Sequence, residues 1–285
     1  MTTAAAWASG GNMGTARYQL AGAGTQTAGL AIGGQTTTSV ANTEEYDGSA
    51  WTAGGSLGTA RRRLAGVGLQ TAGLAFAGYL TTNPGFSATE EYDGSAWTAG
   101  GSMSTARASP GGAGTQTAGL GFGGYNAGVP GIANTEEYDG SAWTAGGNLP
   151  AARYYPGGAG TQTAGLSFGG YTTTNINTTD EYDGSAWAAG GSMNTARRSH
   201  TGFGIQTSAL GAGGYSTAFT GATEEYNGTS WTNSTSMSTA RGYLAGAGTQ
   251  TLGLVFGGST GSNSNATEEY TAGFVTPTAS ILTTS

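Results

Sequence analysis

Thirteen residues, Thr43-Glu44-Glu45-Tyr46-Asp47-Gly48-Ser49-Ala50-Trp51-Thr52-Ala53-Gly54-Gly55, return almost unchanged at 89–101 and 135–147. With small edits they return at 179–191, where Asp180 replaces the first Glu, and at 223–233, where Asn227 replaces Asp. A sixth copy begins at Thr267-Glu268-Glu269-Tyr270 and reaches no Trp. The missing Trp lies at the other end of the chain, in Ala5-Ala6-Trp7-Ala8-Ser9-Gly10-Gly11. A motif split between the two termini predicts a ring that the chain itself must close.

Trp recurs at 7, 51, 97, 143, 187 and 231, and a repeat of this length built from short strands marks propeller blades. Four strands fit each repeat. A small-residue segment such as Leu20-Ala21-Gly22-Ala23-Gly24 leads through a tight Thr25-Gln26 turn to Ala28-Gly29-Leu30-Ala31-Ile32. There Leu30 and Ile32 alternate onto one face, as a buried strand requires. A loop, the Thr-Glu-Glu-Tyr strand, an Asp-Gly hairpin and the Trp strand complete the unit.

The order Gly-Gly, Tyr, Trp, with Arg leading into the next repeat, resembles the kelch repeat over nearly the whole chain. The glycine pair stands as Gly33-Gly34, Gly123-Gly124, Gly169-Gly170, Gly213-Gly214 and Gly257-Gly258, with Ala77-Gly78 as one departure. The resemblance implies an all-β, six-bladed propeller of four-stranded antiparallel blades. It also implies that each motif Arg pairs with the acid two before the Tyr: Glu44, Glu90, Glu136, Asp180, Glu224 or Glu268. The propeller is expected over 1–270, with repeats near 12–55, 56–101, 102–147, 148–191, 192–235 and 236–270. Residues 4–11 supply the closing strand, with Trp7 favoured over Phe274 for the last Trp site, and 271–285 remain as a C-terminal tail.

Composition fits an ordered chain of unusual make-up. Leu, Ile, Val and Phe reach only about 12%, a level associated with disorder when net charge is high. Here the net charge is −7 over 285 residues, and six Trp and fourteen Tyr supply bulk. Lysine is absent, all sixteen acids belong to the repeated motif, and six of nine Arg (17, 61, 107, 153, 197, 241) share one repeat position. No basic surface of the kind nucleic acid needs is present, and no window approaches a membrane span, so neither nucleic acid nor membrane insertion is expected. Zero Cys removes thiol chemistry.

Catalysis is not expected either. Adjacent residues on a strand point to opposite faces, so Glu44 and Glu45 do not share a ligand; Glu45 and its equivalents are expected in solvent or on loop amides. A sialidase-type Asp-box has different spacing from Tyr46-Asp47-Gly48-Ser49-Ala50-Trp51, copper sites need histidines, and no Gly-x-Ser-x-Gly surrounds a nucleophile. The lone His200 is expected at the surface or channel mouth. No cofactor or metal is anticipated.

Two places vary from repeat to repeat: the loop after the glycine pair and the triplet after the motif Arg. In an up-and-down blade these lie on one face of the disc, opposite the constant Thr-Gln and Asp-Gly turns. The candidate ligand-binding residues there are Tyr18, Arg62, Arg63, Tyr79, Phe86, Tyr125 and Tyr154, with Tyr155, Tyr171, Arg198, His200, Tyr215, Phe219 and Tyr243. Aromatic surface with polar neighbours suits a sugar ring or a peptide. The near-identical, lysine-free, Gly/Ala/Thr/Ser-rich copies are similar in style to propellers of bacteriophage tail-fibre and other virion proteins. That similarity implies a virion or a bacterial, extracellular surface, and a host glycan or protein as partner. A structural or decoration role docking to other virion subunits is the alternative, and an extracellular carbohydrate-active enzyme is a weaker one.

Overall fold

The computed structural model describes residues 2–275 apart from Thr82, Ala127 and Pro130. It is an all-β, six-bladed propeller whose blades are four-stranded antiparallel sheets. The first blade runs outward from Ala21–Thr25 through Ala28–Ile32 and Thr43–Tyr46 to Trp51–Ala53. The next four repeat this order.

The sixth blade takes three strands from Ala245–Gly248, Leu252–Phe256 and Thr267–Thr271. Its outer strand is Ala6–Ser9, which pairs Trp7 with Tyr270 and Ser9 with Glu268. Trp7 thus fills the expected site and closes the ring, so that Thr267–Thr271 is paired on both sides rather than left as an exposed edge. The proposed tail needs correction: Thr271 belongs to the third strand, and Phe274–Val275 pairs with Thr2–Thr3. The rest of that segment, 276–285, lies outside the described residues.

Blades pack through one large and one small face. Leu30 and Ile32 press toward the second blade, among Ala75, Tyr92 and Trp97, while Ala31 turns the other way, onto Phe256. Space between blades is thin. A Cβ on Gly73 would come within 2.9 Å of Leu30, and one on Gly119 within 2.7 Å of Leu74. The sparse aliphatic content follows from this geometry, because each large residue needs a small one opposite. Tyr and Trp finish the outer part of each seam, as in Tyr46 and Trp51 with ring centroids 5.0 Å apart; such pairs add about 0.5–1.5 kcal/mol beyond area burial.

Nearly every letter of the motif has a partner. The six expected Arg–acid pairs all form, from Arg17–Glu44 to Arg241–Glu268, with each guanidinium buried. Desolvation holds these arginines below their ordinary pKa while the facing carboxylate opposes the shift. The carboxylates also accept backbone N–H groups, as Glu136 does from Ser104 at 2.7 Å.

Contrary to expectation, Glu45 and its equivalents are only partly exposed and are bound to a side chain of the next blade. Glu45 accepts a hydrogen bond from the hydroxyl of Tyr92 in the next blade, and the pattern continues through Glu91–Tyr138, Glu137–Tyr182 and Glu181–Tyr226. Glu225–Tyr270 extends it to the sixth blade, and Glu269–Tyr46 carries it from the last blade back to the first. Parallel rings come from the Trp indole N–H, which donates to the motif Thr of the preceding blade (Trp97 to Thr43, 2.9 Å), and from the turn Gln, whose amide reaches two carbonyls there. Asp47 caps its own turn by accepting from the N–H groups of Ser49 and Ala50.

Candidate functional site: the tyrosine–arginine face

The two variable segments meet within each blade. The first residue of the triplet forms an antiparallel bridge with the residue after the glycine pair: Tyr18 with Gln35, Arg62 with Tyr79, Ala108 with Tyr125. Tyr154 bridges Tyr171, Arg198 bridges Tyr215, and Gly242 bridges Ser259. A backbone link then ties the loop to the neighbour, since the second glycine of each pair donates to the carbonyl of the next motif Arg, as Gly34 does to Arg61 at 2.9 Å. The side chains that differ between blades are therefore held by contacts that do not.

The second residue of each triplet builds a closed ring around the channel mouth. Gln19, Arg63, Ser109, Tyr155, Ser199 and Tyr243 all have φ between 54° and 56°, a left-handed conformation that non-glycine residues seldom adopt. Each donates its N–H to the carbonyl of its counterpart one blade back: Arg63 to Gln19 at 2.8 Å, Ser109 to Arg63 at 2.7 Å, and Gln19 to Tyr243 at 2.8 Å. Six backbone hydrogen bonds in a cycle offset the left-handed strain, of order 1–3 kcal/mol per residue. Sequence reading did not find this ring, because nothing in Gln, Arg, Ser or Tyr announces a positive φ.

Below the ring the inner strands nearly touch. A Cβ on Gly158 would lie 2.4 Å from the carbonyl oxygen of Gly112, which explains glycine at this position in every blade. A cavity of about 130 Å³ remains on the axis, too small for a drug-sized molecule.

Above the ring is a wider cavity of about 420 Å³, lined by Arg63, Tyr125, Tyr154, Tyr155, Tyr171, Arg198 and Tyr243. Tyr154 is its hub, with ring centroids 5.5 Å from Tyr125, 5.3 Å from Tyr155 and 5.3 Å from Tyr171. Tyr243 connects Tyr155 to Tyr18 and Phe219, and Phe219 in turn meets Tyr215. The guanidinium of Arg63 stands over Tyr79, Tyr125 and Tyr155, and its Nη1 donates to the Tyr125 hydroxyl. Arg198 is sandwiched by Tyr171 at 4.7 Å and Tyr215 at 4.8 Å. Arg62 lies 4.4 Å from the Tyr79 ring. Burial beside other tyrosines raises the pKa of Tyr154 above the ordinary phenol value.

Twelve of the fourteen expected residues thus share one face in a continuous aromatic–guanidinium patch. Two stand apart. Phe86 packs over the buried frame residue Arg61. His200 is a correction: it is 6% exposed, packed on Phe168 with ring centroids 5.2 Å apart, and belongs to the inner wall rather than the surface. Burial pushes its pKa down to about 3, and nearby Arg197 adds to the effect. Asn175 is a member that sequence reading missed; its Oδ1 accepts from Arg198 at 2.9 Å while its amide donates to the carbonyls of Tyr215 and Ser216. Its place in a variable loop was the available signal.

The chain matches no protein-family model, and no curated protein matches it.

Proposed function

We propose that this propeller is a non-enzymatic recognition module that binds a glycan through the tyrosine–arginine face. One observation carries the reading: the residues that differ between otherwise near-identical blades converge on a single 420 Å³ cavity walled by tyrosines and two arginines. Function concentrates on variable loops held by a rigid scaffold, and tyrosine rings offer flat, amphipathic area that suits the apolar face of a sugar. The frame supports binding over turnover, since its paired carboxylates are committed to buried arginines and to neighbouring tyrosine hydroxyls.

The kelch-like order of Gly-Gly, Tyr, Trp and Arg, together with the lysine-free composition, supports reading the module as an adhesion or receptor-binding part of a phage particle, tail-fibre-like, or of a bacterial surface. Its partner is then a host-surface glycan. Binding to a glycan array, lost when Tyr154→Ala, Tyr155→Ala and Arg62→Ala are combined in a variant that melts normally, is the expected result. Array binding that survives the triple substitution removes this face from the function.

A second reading, a structural or decoration subunit of a virion, draws on the opposite face. There Leu69, Ile205 and Leu252 are each about half exposed at the turns after or before the inner strand hairpin, and exposed apolar side chains suit contact with another subunit. Absence of glycan binding together with co-purification of a second virion subunit that is lost on Leu69→Thr and Ile205→Thr would favour it.

A further inference from the structure

We infer that the ligand of this face is an acidic glycan, with a sugar carboxylate held between Arg63 and Arg198 and its ring laid on the tyrosines; this rests on the glycan-binding reading. The argument begins with where the charges are. Of the sixteen carboxylates, the six in the first motif position bind the frame arginines. The six that follow accept tyrosine hydroxyls from the neighbouring blade. The remaining four, Asp47, Asp93, Asp139 and Asp183, cap their own turns.

Arg62, Arg63 and Arg198 are the three arginines left over, and among the described residues none forms a salt bridge. All three occupy the variable face, two of them in the wall of one cavity. A chain of net charge −7 thus concentrates its unpaired positive charge where its sequence varies.

The guanidiniums are also oriented with one edge to spare. Arg63 spends Nη1 on Tyr125, and its buried Nε has no acceptor in the protein. Arg198 spends Nη1 on Asn175. Stacking on tyrosine fixes each plane, so little further ordering is needed when an anion arrives. A planar carboxylate matches the fork of a guanidinium with two parallel N–H···O bonds. Nucleic acid is a poorer match, because three arginines supply too few phosphate contacts on a protein of net charge −7.

Binding of the intact chain to sialyllactose and to a galacturonate oligomer, measured beside lactose and a galactose oligomer, tests this. The acidic member of at least one pair is expected to bind about tenfold or more tighter, with the advantage shrinking as salt rises. Arg63→Gln and Arg198→Gln, each first checked to fold, should lower binding of the acidic member until it no longer exceeds that of its neutral partner in the same variant. Equal affinity for acidic and neutral members overturns the inference and leaves glycan binding standing. Tighter binding of mannose 6-phosphate than of either carboxylate sugar also overturns it, in favour of a phosphorylated glycan. Binding of no sugar, neutral or acidic, overturns both readings together.

Discussion

Tyr92 of the second blade donates its hydroxyl hydrogen bond to Glu45 of the first, and the same hydroxyl accepts from the backbone N–H of Gly55 at 3.2 Å. One phenol therefore joins two blades at a buried seam. Tyr92→Phe keeps the ring packing and removes both bonds, so it should cost about 1–2 kcal/mol, read as a lower denaturant midpoint with unchanged slope. A variant as stable as the parent would show that the seam does not need the bond.

The same ring predicts alkaline sensitivity. Burial, reinforced by the acceptor carboxylate, pushes Tyr46, Tyr92, Tyr138, Tyr182 and Tyr226 up to about 12 from an ordinary 10. Above pH 10 the unfolded chain loses these protons and the folded chain keeps them, so stability present below pH 10 drains away as pH rises towards 12. Melting temperature should fall steeply across that interval, and less steeply in Tyr92→Phe. A flat profile to pH 12 would contradict the assignment.

Arg107 is fully buried against Glu136, and its Nη1 also donates to the carbonyls of Gly123 and Asn134. Arg107→Met leaves a buried carboxylate without its counter-charge and should cost about 3–5 kcal/mol. Adding Glu136→Leu should recover only part, since the Ser104 and Thr105 N–H groups lose their acceptor. A double-mutant cycle in denaturant reads both; an Arg107→Met cost below about 1 kcal/mol would mean the pair is not structural.

Ring closure depends on Ala6–Ser9, through Trp7 donating to the Thr235 carbonyl at 2.9 Å and packing on Tyr270. Removing residues 1–11 exposes the edge of Thr267–Thr271 and the buried side chains Tyr270, Met237 and Phe203 of the core that Trp7 covers. The truncated chain should melt well below the parent and associate in solution, as unpaired strand edges do. Unchanged thermal stability and a monomeric profile in light scattering would refute closure by this strand.

His200 makes a prediction on the acid side. The unfolded chain takes up a proton near pH 6.5, while the folded chain refuses it until about pH 3. Stability therefore falls as pH drops through that window, by roughly 4 kcal/mol at its lower end. Leu20, Leu64 and Leu244 occupy the equivalent position in other blades, so His200→Leu should fit and flatten the loss. Parallel pH profiles for parent and variant would assign the acid sensitivity elsewhere.

The architecture was legible in the repeat pattern alone. Six copies of one motif, with Trp7 stranded at the far end, allowed one closed arrangement; strand alternation separated Glu44 from Glu45, and the resemblance to the kelch repeat implied that Glu44 pairs with its arginine. The neighbouring blade decided the rest. Glu45 looked solvent-bound within its own strand, yet a tyrosine 47 residues later meets it, a distance across which no local pattern is informative. His200 looked like a surface or channel-mouth group because a lone polar residue gives no sign of the Phe168 ring packed on it. The left-handed ring at Gln19, Arg63, Ser109, Tyr155, Ser199 and Tyr243 exists because six hydrogen bonds between blades hold it. Repetition in the chain specifies what every blade shares; which unpaired arginine meets which tyrosine depends on contacts made only once the blades stand side by side.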